Sequence, residues 1–185
     1  MHPAFLEFVF MLFLGLYGLS KIVFIIILSF LLLISLTSFL NWLSYKYLKG
    51  RVVRSRKWDL NICCGETDGG GVNADIVRHA ELPRFTLIEN IYGLPFENDS
   101  FKKVLCSHTI EHVEDPERFH DELSRVGKHI VYLLPPLWDI SAALNILEHR
   151  WIFWTMKTKH DTLPPYSRLP LAKTIQKWLG QRIKG

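Results

Sequence analysis

The sequence predicts an α/β domain built on a mostly parallel sheet, preceded by one or two transmembrane helices. Three observations carry this. From Trp58 onward, short apolar runs alternate with helix-forming segments, the order that a parallel sheet with flanking helices needs. Ile22 to Leu43 contains no charged residue, and about 20 such residues cross a bilayer as a helix. Charge is also segregated by region: residues 1–45 carry only Glu7 and Lys21, whereas residues 46–57 carry Lys46, Lys49, Arg51, Arg54, Arg56 and Lys57 with no acid.

The anchor comes first. Trp42 and Tyr45 supply interfacial aromatics next to the basic cluster, and the positive-inside rule then puts the following domain in the cytoplasm. The earlier stretch, Pro3 to Ser20, is nearly as apolar but is interrupted by Gly15, Gly18 and Lys21. It reads as a second span, a re-entrant half or an in-plane helix. A cleaved signal peptide would need a basic start and a small-residue cleavage site, and the sequence has neither. The expected organisation is a hydrophobic anchor over 1–45, a basic juxtamembrane linker over 46–57, the α/β domain over 58–167 and a basic amphipathic helix over 168–185.

Within the domain, Trp58 to Cys64 is a short apolar strand ending at Gly65, followed by a loop with Gly69, Gly70 and Gly71. Val72 to Ile76 is a second strand ending beside Asp75, Phe85 to Ile88 a third and Lys102 to Cys106 a fourth. Asp115-Pro116-Glu117 is a helix start: an Asp N-cap, Pro at the first helical position and an acid in the first turn. Phe119, Leu123 and Val126 recur at helical spacing, and Gly127 ends the helix. His129 to Leu134 is a fifth strand. Asp139 opens a helix with Ile140, Ala143, Leu144 and Leu147 on one face, and Trp151 to Thr155 is a sixth strand. In the tail, Leu171, Ile175, Trp178, Leu179 and Ile183 form one apolar stripe with Lys173, Lys177 and Lys184 largely off it. That pattern suits a membrane surface or a closing helix on the sheet.

The composition excludes some functions. Residues 58–167 hold 17 acids and 10 bases, so the excess positive charge flanks the domain and does not coat it. A nucleic-acid-binding face needs the opposite, and no nucleic-acid partner is expected. Cys63, Cys64 and Cys106 are too few for a disulfide framework and read as buried apolar filler in a reducing compartment.

Leu94 to Pro116 reads LPFENDSFKKVLCSHTIEHVEDP, and the first two strands read LNICCG, then ETDGGG, then VNADI. These runs resemble class I S-adenosylmethionine-dependent methyltransferases, in particular the shorter branch of the family. The resemblance covers roughly Lys57 to Pro136 and implies a reduced Rossmann-like methyltransferase sheet with S-adenosylmethionine as cofactor. It implies that Gly65, with Cys64 and Glu66, lines the methionine part, with Asn61 in the same run on the cofactor side. Asp75 would accept hydrogen bonds from the ribose hydroxyls, Asn90 and Ile91 would flank the adenine, and Ser107 and His108 would close the floor beneath the sulfonium. His108 is the candidate general base. Cys63 stands where the family has glycine, Asn90 where it usually has Asp, and ten residues between Gly65 and Asp75 leave no room for the usual intervening helix.

His108 to His112 also matches HxxEH, a zinc-protease pattern. That pattern needs a long helix, whereas a strand runs into His108 and Pro116 follows, so no metal is expected. The reading is a methyltransferase at the membrane whose unknown acceptor is expected among lipids or membrane-associated molecules, or a non-catalytic interaction module on a degenerate methyltransferase scaffold.

Overall fold

The computed structural model describes residues 3–182. Met1 and His2 of the expected anchor, and Ile183 and Lys184 of the expected tail helix, lie outside the described residues. The chain divides into two compact units, one ending at Phe39 and the other beginning at Leu40.

The first unit is almost all of one helix, α1 (Pro3–Asn41). Neither Gly15, Gly18 nor Lys21 breaks it, so the expected separation of Pro3–Ser20 from Ile22–Leu43 does not occur. Glycine in a helix costs only about 1 kcal/mol relative to Ala, too little to stop propagation through flanking Leu, Ile and Phe. The Lys21 ammonium lies 4.3 Å from the centroid of the Tyr17 ring, one turn back. Apolar side chains are exposed all round the helix, from Phe10 to Phe39. It is long and apolar enough to cross a membrane.

The second unit opens with a π-helical segment, Trp42–Leu48, and a short helix α2 (Lys49–Val53). The stretch read as a linker is therefore helical as far as Val53, which is buried with Trp58, Leu105, Val131 and Leu133. The main sheet contains β1 (Leu60–Ile62), β2 (Val72–Asp75), β3 (Phe85–Leu87), β4 (Phe101–Ser107) and β5 (Gly127–Leu133), all parallel. Two-residue β7 (Lys159–His160) adds antiparallel beside β5. The order β3-β2-β1-β4-β5-β7 reverses between β1 and β4, and in open α/β sheets ligands bind outside the carboxyl ends at such a point. This is the expected reduced Rossmann-like architecture.

Alternation along β4 explains the two layers. Val104 and Cys106 enter the larger core with Leu60, Ile62, Phe119, Leu123 and Tyr132, while Leu105 faces the smaller cluster around Trp58. Helix α3 (Pro116–Val126) covers the larger core with Phe119, Leu123 and Val126, and Asp115 caps it by accepting from the Arg118 N–H at 3.0 Å. Gly127 ends α3 and begins β5 in one residue.

Two expectations are corrected. The helix opened by Asp139 is a single turn, α4 (Ile140–Ala143), with Ile140 and Leu144 exposed. Beyond Leu144 the chain turns, and the carbonyls of Ile146 and His149 accept from Gln176 at 2.9 and 2.8 Å. The sixth strand, β6 (Trp151–Phe153), does not join the main sheet but pairs antiparallel with β8 (Tyr166–Arg168). Helix α5 (Ala172–Leu179) buries Ala172 and Gln176, and leaves Leu171, Trp178 and Leu179 of the apolar stripe exposed.

Candidate functional site

The tips of β1, β2 and β4 lie side by side at the carboxyl edge of the sheet. At the β1 tip, Cys63 has φ +49° and Gly65 φ +54°. Left-handed backbone favours glycine, so Cys63 takes a glycine conformation at the position where the resembled family has one. The nine residues from Cys63 to Gly71 contain turns and no helix, as their number requires. Gly70, at φ +97°, packs so close to the Arg56 carbonyl that a Cβ would overlap it.

Asp75 closes this tip. Its Oδ2 accepts the Gly65 N–H at 2.8 Å, and its Oδ1 accepts the Ile76 N–H at 2.7 Å. The carboxylate is buried but stands in no ion pair among the described residues. Each oxygen keeps a lone pair for a further donor. Asn61 Nδ2 donates to the Thr67 carbonyl at 2.8 Å and reaches Asn73 Oδ1 at 3.3 Å, which ties the glycine loop to the sheet, while its Oδ1 is buried without a partner. Cys64 is buried and Glu66 is exposed in the turn. Burial pushes the Cys64 thiol up to about 12 and raises Cys63 and Cys106 as well, with the Asp75 carboxylate adding to the first two. All three are thus protonated filler and not nucleophiles.

Asn90 is exposed, and its Oδ1 accepts the Tyr92 N–H at 2.9 Å. One lone pair of the carbonyl expected to face an adenine amino group is therefore taken. Ile91 is half-buried against the core.

The β4 tip differs. Ser107 is buried and its Oγ has no hydrogen-bond partner. His108, at φ +52°, follows it. Its Nδ1 lies 3.2 Å from Glu111 Oε1, off the line of a well-directed hydrogen bond, and its Nε2 is unpartnered. The Tyr45 ring meets the imidazole edge-on at 5.1 Å, so His108 is covered where the sequence suggested a pocket edge. Burial pulls the His108 pKa down, against the pull of Glu111, and the ring is neutral at neutral pH. Burial would raise the Glu111 carboxyl, but contact with His108 and the nearby His112 and His149 outweigh it and hold it at about 2. His149, also buried, is lowered to about 4.

Residues 110–114 form a turn, not a helix. It is fastened to the segment before β6: the Arg150 and Trp151 N–H groups donate to the Glu111 carbonyl at 2.8 and 3.2 Å, and Gln181 Nε2 bridges the carbonyls of His112 and Glu148. Sequence reasoning missed Tyr45 and His149. Tyr45 reads as an interfacial aromatic, and His149 is an isolated histidine with no motif around it. Two surface cavities, one lined by Arg51, Trp138, Met156 and Lys157 and one by Trp58, Lys103 and His129, involve none of the predicted cofactor residues.

Residues 72–134, from β2 to the end of β5, match the model of a methyltransferase domain family. No curated protein sequence matches the chain. Among solved structures, a protein described as a possible histamine N-methyltransferase from Thermotoga maritima is 17% identical, with a TM-score of 0.39, over 52% of this chain and 56% of that one. The YcgJ protein of Bacillus subtilis is 19% identical, with a TM-score of 0.39, over 54% and 57%. An S-adenosylmethionine-dependent methyltransferase from Aquifex aeolicus is 14% identical, with the same TM-score, over 57% and 78%. The matched region thus spans little more than half the length of the first two structures. The family match takes in β2 to β5 and leaves β1 outside it, so residues 72–134 are similar to a methyltransferase domain, and the cofactor that such a family implies is S-adenosylmethionine.

Proposed function

We propose that this chain is a membrane-anchored, S-adenosylmethionine-dependent methyltransferase. The observation that carries the reading is the pairing of Asp75 with the Gly65 N–H across the tips of β1 and β2, within and beside the family-matched segment. When bound, the cofactor supplies a methyl group activated on a sulfonium. Asp75 would hold the ribose hydroxyls with its remaining lone pairs, Gly65 and Cys64 would admit the methionine part, and Ser107 Oγ would offer an uncommitted hydroxyl beside it. His108 is the base: the neutral ring, with Nδ1–H toward Glu111, keeps the Nε2 lone pair for the acceptor's proton.

Helix α1 supports a bilayer anchor, and the basic residues after it support a cytoplasmic α/β unit. Exposed Leu171, Trp178 and Leu179, with Lys173 and Lys177 on the same helix, suit a lipid surface. The acceptor is then a lipid or another membrane-associated molecule. Cysteine labelling from either side of sealed vesicles tests the orientation, and labelling of the α/β unit from outside would reverse it.

A second reading, a non-catalytic module, is favoured by two observations: the Asn90 carbonyl is engaged by Tyr92, and His108 is covered by Tyr45. Calorimetry with S-adenosylmethionine on the detergent-solubilised chain separates the two. Heat that Asp75→Ala reduces by about 100-fold in affinity, roughly 2.7 kcal/mol, supports the enzyme. No heat at millimolar cofactor supports the module.

A further inference from the structure

We propose that Glu111, His112 and His149 form a binding site for one divalent first-row transition cation, zinc in the first instance. The proposal is independent of the methyltransferase reading. One ligand atom from each of the three residues lies within 4.8 Å of the others. Tetrahedral zinc holds neighbouring ligand atoms roughly 3.4 Å apart, given zinc–nitrogen bonds of about 2.0–2.1 Å, so closure needs only small side-chain rotations.

The second observation is a set of buried polar atoms aimed into the cluster without partners. Glu111 is fully buried, and neither carboxylate oxygen has a well-directed donor; His149 Nδ1 is likewise unpartnered. A buried carboxylate without a full counter-charge is costly, and a cation at the centre offsets that cost. The histidines are already presented as ligands. His112 Nδ1 lies 2.9 Å from the Glu148 carbonyl, so this nitrogen carries the proton and Nε2 keeps its lone pair. His149 Nδ1 is buried with no hydrogen-bond partner, so it is uncommitted and can offer its lone pair. Ring-to-carbonyl bonds such as that of His112 fix the tautomer of metal-bound histidines. Glu111 can serve both neighbours, Oε1 toward His108 and Oε2 toward the cation.

Two imidazoles and a carboxylate suit zinc and its neighbours, not calcium or magnesium. The arrangement is unlike the HxxEH helix that the sequence pattern suggests: His108 is a neighbour, and the third ligand comes from the far side of β5. A cation here would clamp the β4–α3 turn to the strand pair that follows.

The experiment uses the full chain in detergent, stripped with chelator and titrated with Co²⁺. The expected result is one Co²⁺ per chain, with visible ligand-field bands of a four- or five-coordinate ion, displaced by Zn²⁺. His149→Gln and His112→Gln should each weaken binding about tenfold or more, while the exposed His129→Gln changes nothing. Equal affinity in His149→Gln and wild type, or no stoichiometric binding at micromolar Co²⁺, overturns the proposal. If a variant does not fold, the wild-type proton spectrum decides: paramagnetically shifted imidazole N–H signals from two histidines support the site, and fewer overturn it.

Discussion

The tip of β1–β2 and the tip of β4 share one edge of the sheet and are built in opposite ways. At the first, polar groups are spent on one another. Asn73 accepts the Gly69 N–H at 2.9 Å and donates to the Pro83 carbonyl at 2.8 Å and to Asp68 at 3.1 Å, and Asp75 takes two backbone N–H groups. At the second, Ser107 Oγ, His108 Nε2 and both Glu111 oxygens have no partner. Buried polar groups are nearly always paired. The first tip is therefore largely finished, with only the spare lone pairs of Asp75 and the Asn61 Oδ1 left over, and the second holds more unspent hydrogen-bonding capacity.

The largest expected effect is at the finished tip. Asn73→Ala removes a fully buried amide and strands the Gly69 N–H and the Pro83 carbonyl, at a cost of about 3 kcal/mol. The urea midpoint of the α/β unit should fall accordingly, and a loss under about 1 kcal/mol would mean that the glycine loop supports itself. Cys63→Gly relieves the left-handed backbone at the same tip and should stabilise by about 1 kcal/mol. A lower melting temperature would show instead that thiol packing outweighs the strain.

Glu122 sharpens the comparison from outside the edge. It pairs with Arg125 at 2.7 Å and takes the Leu94 N–H, which fastens the loop leading into β4. The Arg125 hydrogen bond holds its carboxyl below the ordinary 4.5. A depressed folded value means that stability is gained above the unfolded pKa and lost as pH falls through the folded one. Glu122→Gln should therefore flatten the stability profile below pH 4.5 relative to wild type, and parallel profiles would remove the pair from the account. The smallest effect belongs to the open tip. Ser107→Ala deletes an unpartnered hydroxyl and should change stability by less than about 0.5 kcal/mol. Lower cofactor affinity at unchanged stability would mark this tip as ligand-facing, whereas a loss of stability would reveal a partner for the hydroxyl and break the contrast.

Much of the fold was legible because it rests on local pattern. The five parallel strands, the Asp115 cap and the missing helix between β1 and β2 follow from alternation, cap chemistry and chain length. The one-turn α4 was not legible, because its apolar spacing is helical and the partners of the turns after it, Gln176 among them, lie in a distant segment. Asn61 and Asn90 were read by motif position, and the partners that the fold gives their amides, Thr67 and Tyr92, were not legible from it. Burial of Val53 under the sheet was masked by the basic residues around it.

The sequence by itself determined the apolar helix, the strand order's parallel character and the carboxylate at the β2 tip, since hydrophobic runs, capping residues and loop lengths act over a few residues. Only the tertiary structure decided that Tyr45 covers His108 and that His149 meets Glu111 and His112. Those meetings join residues far apart in the chain, and no local periodicity encodes which distant side chains a sheet edge brings within bonding distance.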